Sequence, residues 1–278
     1  MILILKLIEQ NYKNYRTMNI INKNLSNKVV LITGSAGQLG FEIAKMFFSN
    51  DARVIMSDID IAKCKVSERK ISSRKNNRIV SLELDVTSEE SVFEAARYVK
   101  KKYSRLDVLI NNAAQAIFTD TGKRQKEEFM NILEVNTYGS FNCIQKFIPL
   151  LKKTTGTSSV VNIASIYGFV SSDPRIYGKK DRRNSEVYSI SKAGIIQMTK
   201  YLSAHYADNN IRINSISPGG VQNNHDKTFI KKYSNRVPMK RMAKANEILG
   251  SISFLADDEL SSYVTGQNIL IDGGLTNW

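Results

Sequence analysis

From residue 28 onward, short runs of β-branched residues alternate with longer amphipathic segments. The runs at 29–33, 53–58, 79–85, 108–111, 158–164, 211–217 and 268–272 are four to eight residues long and nearly continuously apolar at their centres. That pattern predicts strands buried on both faces. Between them, apolar positions recur with helical period at 39–48, 88–103, 126–151, 186–206 and 245–255. Strands and helices that alternate along a whole chain predict an α/β fold, a parallel sheet with helices on both sides. Residues 27–278 are expected to form one doubly wound domain, with 1–26 as a loosely held extension that carries no strong period. Met18 lies shortly before the first strand, so a chain that begins there would contain the whole domain, and the native start is expected downstream of Met1.

Composition narrows the class only a little. Of 278 residues, 42% are apolar and 24% charged, which suits a globular protein. The apolar start, Met1 to Ile8, is broken by Lys6 and is far shorter than the roughly 20 residues of a membrane span. It has no small-residue cleavage site, so no secretory signal is read. Cys64 and Cys143 are too few for a disulfide framework and too far apart for a zinc motif, which points to a reducing, cytoplasmic setting. His205 and His225 have no carboxylates or cysteines at ligand spacing, and no metal is expected. The excess of 40 Lys and Arg over 26 Asp and Glu gives +14. Codon bias, an anionic small molecule and nucleic acid could each account for it, but no stacking-aromatic motif interleaves with the basic residues, which argues against nucleic acid.

The first strand runs into Thr33-Gly34-Ser35-Ala36-Gly37-Gln38-Leu39-Gly40 and then a helix. Glycines there let backbone N–H groups approach a pyrophosphate at the helix N-terminus. Asp58, at the end of the second strand, has the spacing of a carboxylate that binds ribose hydroxyls. A carboxylate also repels a 2′-phosphate, so NAD is favoured over NADP. Tyr188 and Lys192 are four residues apart on a predicted helix and share a face, where the ammonium favours the phenolate. Tyr167 and Tyr177 fail this test, since Ser171 and Asp181 stand at their fourth positions.

These motifs, together with Asp85-Val86, Asn111-Asn112-Ala113-Ala114, Pro218-Gly219 and Asp272-Gly273-Gly274, resemble in their order the short-chain dehydrogenase/reductase superfamily. The resemblance implies a Rossmann-type sheet of seven parallel strands in the order 3-2-1-4-5-6-7, and a homodimer or homotetramer. It implies that Asp85 and Val86 border the adenine, that Asn112 and Ala113 line the adenosine ribose, and that Pro218, Gly219 and Val221 border the nicotinamide. It assigns Ser165 to the reacting oxygen and Asn136 to fixing a water beside Lys192, which with Tyr188 complete a catalytic set. The spacing of Gly34, Gly37 and Gly40 departs from the classical branch and matches the extended, sugar-nucleotide branch. The chain offers no room for a large C-terminal substrate domain, which favours the classical architecture.

Between Ser165 and Tyr188 lies a long insertion that carries Arg175, Lys179, Lys180, Arg182 and Arg183. A second basic stretch runs from Lys227 to Arg241. If both converge on the substrate pocket, they favour a polar or anionic small-molecule substrate. With Asn223 in place of the superfamily's threonine, the insertion resembles the subgroup associated with flagellin and surface-polysaccharide modification. The expected activity is interconversion of a secondary alcohol and a ketone, on a sugar or sugar derivative in surface glycan synthesis. A sugar-nucleotide epimerase or dehydratase and a non-catalytic nucleotide sensor are the alternatives; the sensor would normally lack Tyr188 or Lys192. No membrane association is expected.

Overall fold

The continuous apolar runs become the strands of a single parallel sheet. In the computed structural model, which describes residues 20–72, 76–177 and 183–278, these are β1 (Val29–Ile32), β2 (Arg53–Asp58), β3 (Ile79–Glu83), β4 (Val108–Asn111), β5 (Ser158–Ile163), β6 (Ile211–Pro218) and β7 (Asn268–Ile271). Their order is β3-β2-β1-β4-β5-β6-β7, as the superfamily resemblance implies. Every pairing is parallel, with Val30 of β1 opposite Val54 of β2 and Val108 of β4.

Side chains of a strand alternate between faces, and β1 divides accordingly. Val30 and Ile32 pack with Ile43 and Phe47 of α1 (Gln38–Ser49), Cys64 of α2 (Ile61–Ile71), and Ile252 and Leu255 of α8 (Leu249–Ala256). Val29 and Leu31 face the opposite side. There they meet Val92 and Val99 of α3 (Glu89–Tyr103), Ile144 and Phe147 of α5 (Gly139–Leu151) and Leu202 of α6 (Glu186–Tyr206). The strand order reverses direction at β1, between β2 and β4. In open α/β sheets the carboxyl ends at such a switch point form the ligand crevice.

Three expectations change. Helix α2 and a further helix, α7 (Lys227–Arg236), are present although neither stands out in the apolar period. Both are mostly polar: α2 buries only Cys64 and Ser67, and α7 only Tyr233. The single helix expected over 126–151 is interrupted. It consists of α4 (Lys126–Leu133), a π-helical turn at Glu134–Tyr138, and α5. A π turn adds a residue to the repeat and re-aims the side chains it carries, here Asn136.

The third change concerns the chain before β1. Residues 1–19 lie outside the described residues, but 20–26 are firmly attached. Leu25 is fully buried. Asn22 Nδ2 donates to Asp257 (2.9 Å), and the Asn22 backbone N–H donates to Asn50 Oδ1 (2.6 Å). Asn24 Nδ2 reaches Asp257 (3.2 Å) and Glu259 (3.1 Å). Short amide side chains make these bonds to neighbouring polar groups without any apolar periodicity, so the pattern does not register them.

Candidate active site

The crevice at the carboxyl end of β1 opens into a cleft of about 560 Å3 lined by Gly34, Gly37, Leu39, Gly40, Asp58, Asp85, Val86, Asn112 and Ala113, among others. The turn from β1 into α1 needs glycine at two of its three positions for internal reasons. Gly34 has φ +62°, and a Cβ there would lie 2.7 Å from Ala113 Cα; a Cβ at Gly40 would lie 2.5 Å from the Gly34 carbonyl. Gly37 differs. It is exposed, and a Cβ would meet only the Gly34 carbonyl, at 3.4 Å. The protein itself therefore does not require glycine at 37, whereas a phosphate laid against the backbone would. The first turn of α1 leaves N–H groups without intrahelical acceptors, and its dipole adds partial positive charge at the same place.

The other expected cofactor residues gather around this turn. Asp58 accepts from the Ala36 N–H (3.0 Å) and the Asp60 N–H (3.1 Å) and sits on the cleft wall. Thr33 Oγ1 accepts from the N–H groups of both Asn112 and Ala113 (3.0 Å each), and Asn112 Nδ2 donates to the Thr33 and Gly34 carbonyls (3.0 Å each). This ties β1 to β4. Asp85 accepts from Thr87 at its N–H (2.9 Å) and Oγ1 (2.7 Å), which fixes the wall beside Val86. Pro218 ends β6, and the following Gly219 and Val221 line a second cleft. Gln38 is exposed, with its side-chain amide donating to the Gln222 carbonyl (2.8 Å). The donor set and the open backbone at Gly37 fit a dinucleotide.

Beside it stand Ser165, Tyr188 and Lys192. Ser165 follows β5 and caps a short 3-10 turn, its Oγ accepting from the Tyr167 N–H (3.2 Å). That turn is pressed onto α6: a Cβ at Gly168 would lie 2.6 Å from the Lys192 carbonyl carbon. Helix α6 begins at Ser185, whose hydroxyl accepts from the Tyr188 N–H (3.2 Å). A buried amide ladder holds α6 to the sheet, with Asn111 donating to Asn162 (2.8 Å) and Asn162 donating to Thr199 (2.9 Å). Lys192 Nζ donates to the Ile163 carbonyl (2.8 Å) and lies 5.6 Å from the Tyr188 ring centroid. Burial drives the Lys192 ammonium down to about 8. Burial also raises the Tyr188 phenol, against the opposing effect of its hydrogen bond with Ser165.

The side chain of Asn136 is bonded to two separate segments. Its Oδ1 accepts from the Gln115 N–H (2.7 Å), and its Nδ2 donates to the Gln115 carbonyl and to Ser191 Oγ (3.0 Å each). The side chain is thus fully engaged in tying the segment after β4 to the residue preceding Lys192. It acts as a positioning residue.

The substrate side is where the structure departs most from the sequence reading. The second cleft, about 690 Å3, reaches from Ser165 and Tyr188 to Ala116, Phe118, Ile166, Tyr167, Tyr177, Asn184, Gly219 to Val221, Asn223 to Asp226, Phe229, Tyr233 and Met242. Its described wall contains no Lys or Arg. Arg175 turns away, its guanidinium on Asp173 (3.0 Å), with the side chain 85% exposed. Arg236 takes the same carboxylate (3.1 Å), and Arg241 pairs with Glu247 (2.6 Å). Nearby carboxylates satisfy these guanidinium groups before they reach the cleft. Arg183 is exposed and does not line the cleft, while Lys179, Lys180 and Arg182 lie outside the described residues. From the insertion it is Tyr177 that enters the wall, its hydroxyl 3.3 Å from that of Tyr167 and its ring 5.5 Å from Phe229. Sequence reasoning missed this wall because its aromatics come from four separate segments with no shared period. The position of Tyr177, inside a segment anchored at both ends beside the site, was the available signal.

A family profile described as Enoyl-(Acyl carrier protein) reductase matches residues 34–276. The 3-oxoacyl-[acyl-carrier-protein] reductase FabG of Thermotoga maritima is 36% identical, over 90% of this chain and 98% of its own length. The chain belongs to the short-chain dehydrogenase/reductase family. Post-translational flagellin modification protein A of Campylobacter coli is 29% identical over 90% of this chain and 98% of its own. The crystal structure of a short chain dehydrogenase from Leptospira borgpetersenii with bound NAD+ superposes with a TM-score of 0.82 at 36% identity, covering 95% of this chain and 99% of that one.

As a short-chain dehydrogenase/reductase, the chain is an NAD(P)-dependent oxidoreductase that acts on CH–OH groups. A bound nicotinamide dinucleotide supplies or accepts the hydride. The protein residues govern the proton and the oxygen. In this arrangement Tyr188 Oη can take the carbinol proton as a ketone forms, or return it to the ketone oxygen. The Ser165 hydroxyl stands where it can donate to such an oxygen as negative charge gathers on it. Protonated Lys192, held by the Ile163 carbonyl beneath the Tyr188 ring, favours the phenolate. Among the described residues there is no group of His, Cys, Asp or Glu suited to hold a metal ion, and no helix long and apolar enough to cross a membrane.

Proposed function

We propose that residues 27–278 form a catalytic unit that uses NAD to interconvert a secondary hydroxyl and a ketone on a sugar or sugar derivative, in the synthesis of surface glycans. The composition of the second cleft carries this reading. Along with Ser165 and Tyr188, the cleft is lined by the rings of Phe118, Tyr167, Tyr177, Phe229 and Tyr233 and by the amides of Asn184, Asn223 and Asn224. Aromatic faces accept the C–H surface of a sugar ring, and amides and phenols exchange hydrogen bonds with its hydroxyls. The resemblance to the flagellin-modification subgroup, with a relative of that name, supports the same class. The preference for NAD rests on Asp58 at the cleft wall. Lys63, a basic residue close in sequence to Asp58, pairs with Asp60 at 2.7 Å.

Reduction of a 3-oxoacyl thioester is a second reading, favoured by the 36% identity to a 3-oxoacyl-[acyl-carrier-protein] reductase. A panel of pentitols, hexoses, deoxyhexoses and their phosphates, run beside acetoacetyl thioester and followed by nicotinamide absorbance, separates the two. The sugar reading expects at least one polyol or sugar to exceed the thioester about tenfold in kcat/KM. A preference for the thioester over every sugar tested would overturn it.

A further inference from the structure

Gln38 occupies the first position of α1. Its amide Nε2 donates to the backbone carbonyl of Gln222, 184 residues later, at 2.8 Å. Gln222 belongs to the loop after β6, and the loop is braced on the far side. The Gln222 N–H donates to the Ala243 carbonyl (2.8 Å), and Val221 forms a parallel bridge with Ala243. Gln38 follows Gly37, the exposed glycine of the phosphate turn, whereas Gln222 follows Val221 on the wall of the second cleft. Neither glutamine lines either cleft; their bond joins the rims of both. A dinucleotide that fills the first cleft and extends into the second must pass between those rims.

We propose that the Gln38 side chain and the Gln222 carbonyl form a crossbar over the diphosphate passage, which gates exchange of the dinucleotide and couples it to the substrate loop. Because the bond spans the rims of both clefts, a dinucleotide that lies across them enters and leaves only when it opens. It is exposed at both ends, which makes opening accessible on the timescale of loop motion. The backbone acceptor also has a consequence for specificity: the gate acts alike on NADH and NADPH, since it touches neither ribose.

The test is the pair of rate constants for NADH, measured by stopped-flow fluorescence on wild type and on Gln38→Met, which keeps the length and removes the donor. A net hydrogen bond of about 0.5–1.5 kcal/mol corresponds to roughly two- to tenfold in rate. Association and dissociation should both accelerate by such a factor, with Kd changing less than either, and NADPH should respond in the same proportion. Hydrogen exchange at residues 222–226 should quicken in the cofactor-free variant. Gln38→Ala serves as a second probe should the methionine pack onto the loop. Unchanged rates with unchanged exchange would overturn the proposal. So would slower dissociation, or a rise in dissociation that appears wholly in Kd with association unaltered, because Gln38 would then be a cofactor contact and not a gate.

Discussion

Asp58→Asn should weaken NADH binding and shift the cofactor preference toward NADPH. In the folded chain the two carboxylate oxygens divide their work: Oδ2 accepts from Ala36 and Oδ1 from Asp60. A ribose whose hydroxyls donate to the same carboxylate brings its 2′ position within about 5 Å of the charge. At that distance Coulomb's law gives about 3 kcal/mol per phosphate charge at an effective dielectric of 20, and under 1 kcal/mol in bulk water. Asp58 is half-buried, so a penalty of about 1–2 kcal/mol is reasonable, or roughly five- to thirtyfold in the NADH to NADPH ratio. The amide removes the charge but keeps one acceptor for two backbone donors. It should therefore also cost about 1 kcal/mol of stability through the turn at Ala36. Calorimetric titration of both reduced dinucleotides into wild type and variant reads the ratio directly. If wild type binds NADPH as tightly as NADH, or if the ratio moves less than about twofold on substitution, the carboxylate does not set the preference.

A chain that starts at Met18 should keep its melting temperature, whereas one that starts at Asn27 should lose several degrees. The longer deletion removes buried Leu25, worth about 1.5–3 kcal/mol, and the Asn22 and Asn24 bonds to Asp257. Lys192 should leave a signature in stability against pH. Its folded pKa, about 8, lies below the ordinary lysine value, so between pH 8 and about 10.4 the unfolded chain binds the extra proton and stability rises with pH. The burial penalty is full below pH 8; Lys192→Met, although inactive, should gain most over wild type near pH 7 in chemical denaturation, and that advantage should shrink toward pH 10. An advantage that grows with pH would contradict the buried-lysine reading. Arg175→Ala should change kcat/KM by less than about 0.5 kcal/mol, as exposed positions usually do. A loss of tenfold would return Arg175 to the substrate site.

The fold was largely readable in the sequence because strands buried on both faces leave little choice of residue: Val29 to Ile32 and Val108 to Ile110 are apolar at every position and fully or almost fully buried. The meeting of Tyr188 and Lys192 was readable for a related reason, since residues four apart share a helix face and their spacing records it. What could not be read depends on partners distant in the chain. Whether Arg175 faces a ligand or Asp173 is decided by which carboxylate lies nearer, and composition says nothing about that. The π turn that re-aims Asn136 has no residue signature of its own, although asparagine is a poor interior helix residue. Helix α2 escaped notice because its buried side is Cys64 and Ser67, neither of which contributes to an apolar period.

If Tyr188 moves the proton at a CH–OH centre, Tyr188→Phe should stop turnover and spare cofactor binding. The substitution removes one oxygen and leaves intact the Ser185 cap at the Tyr188 N–H and the bond from Lys192 to the Ile163 carbonyl. General acid–base catalysis typically contributes about 100- to 10,000-fold. With the substrate found by the panel, kcat/KM should therefore fall at least about 100-fold, while NADH binds within about threefold of wild type. Turnover within about tenfold of wild type, a barrier change of only about 1.4 kcal/mol, would show that the proton travels by another group.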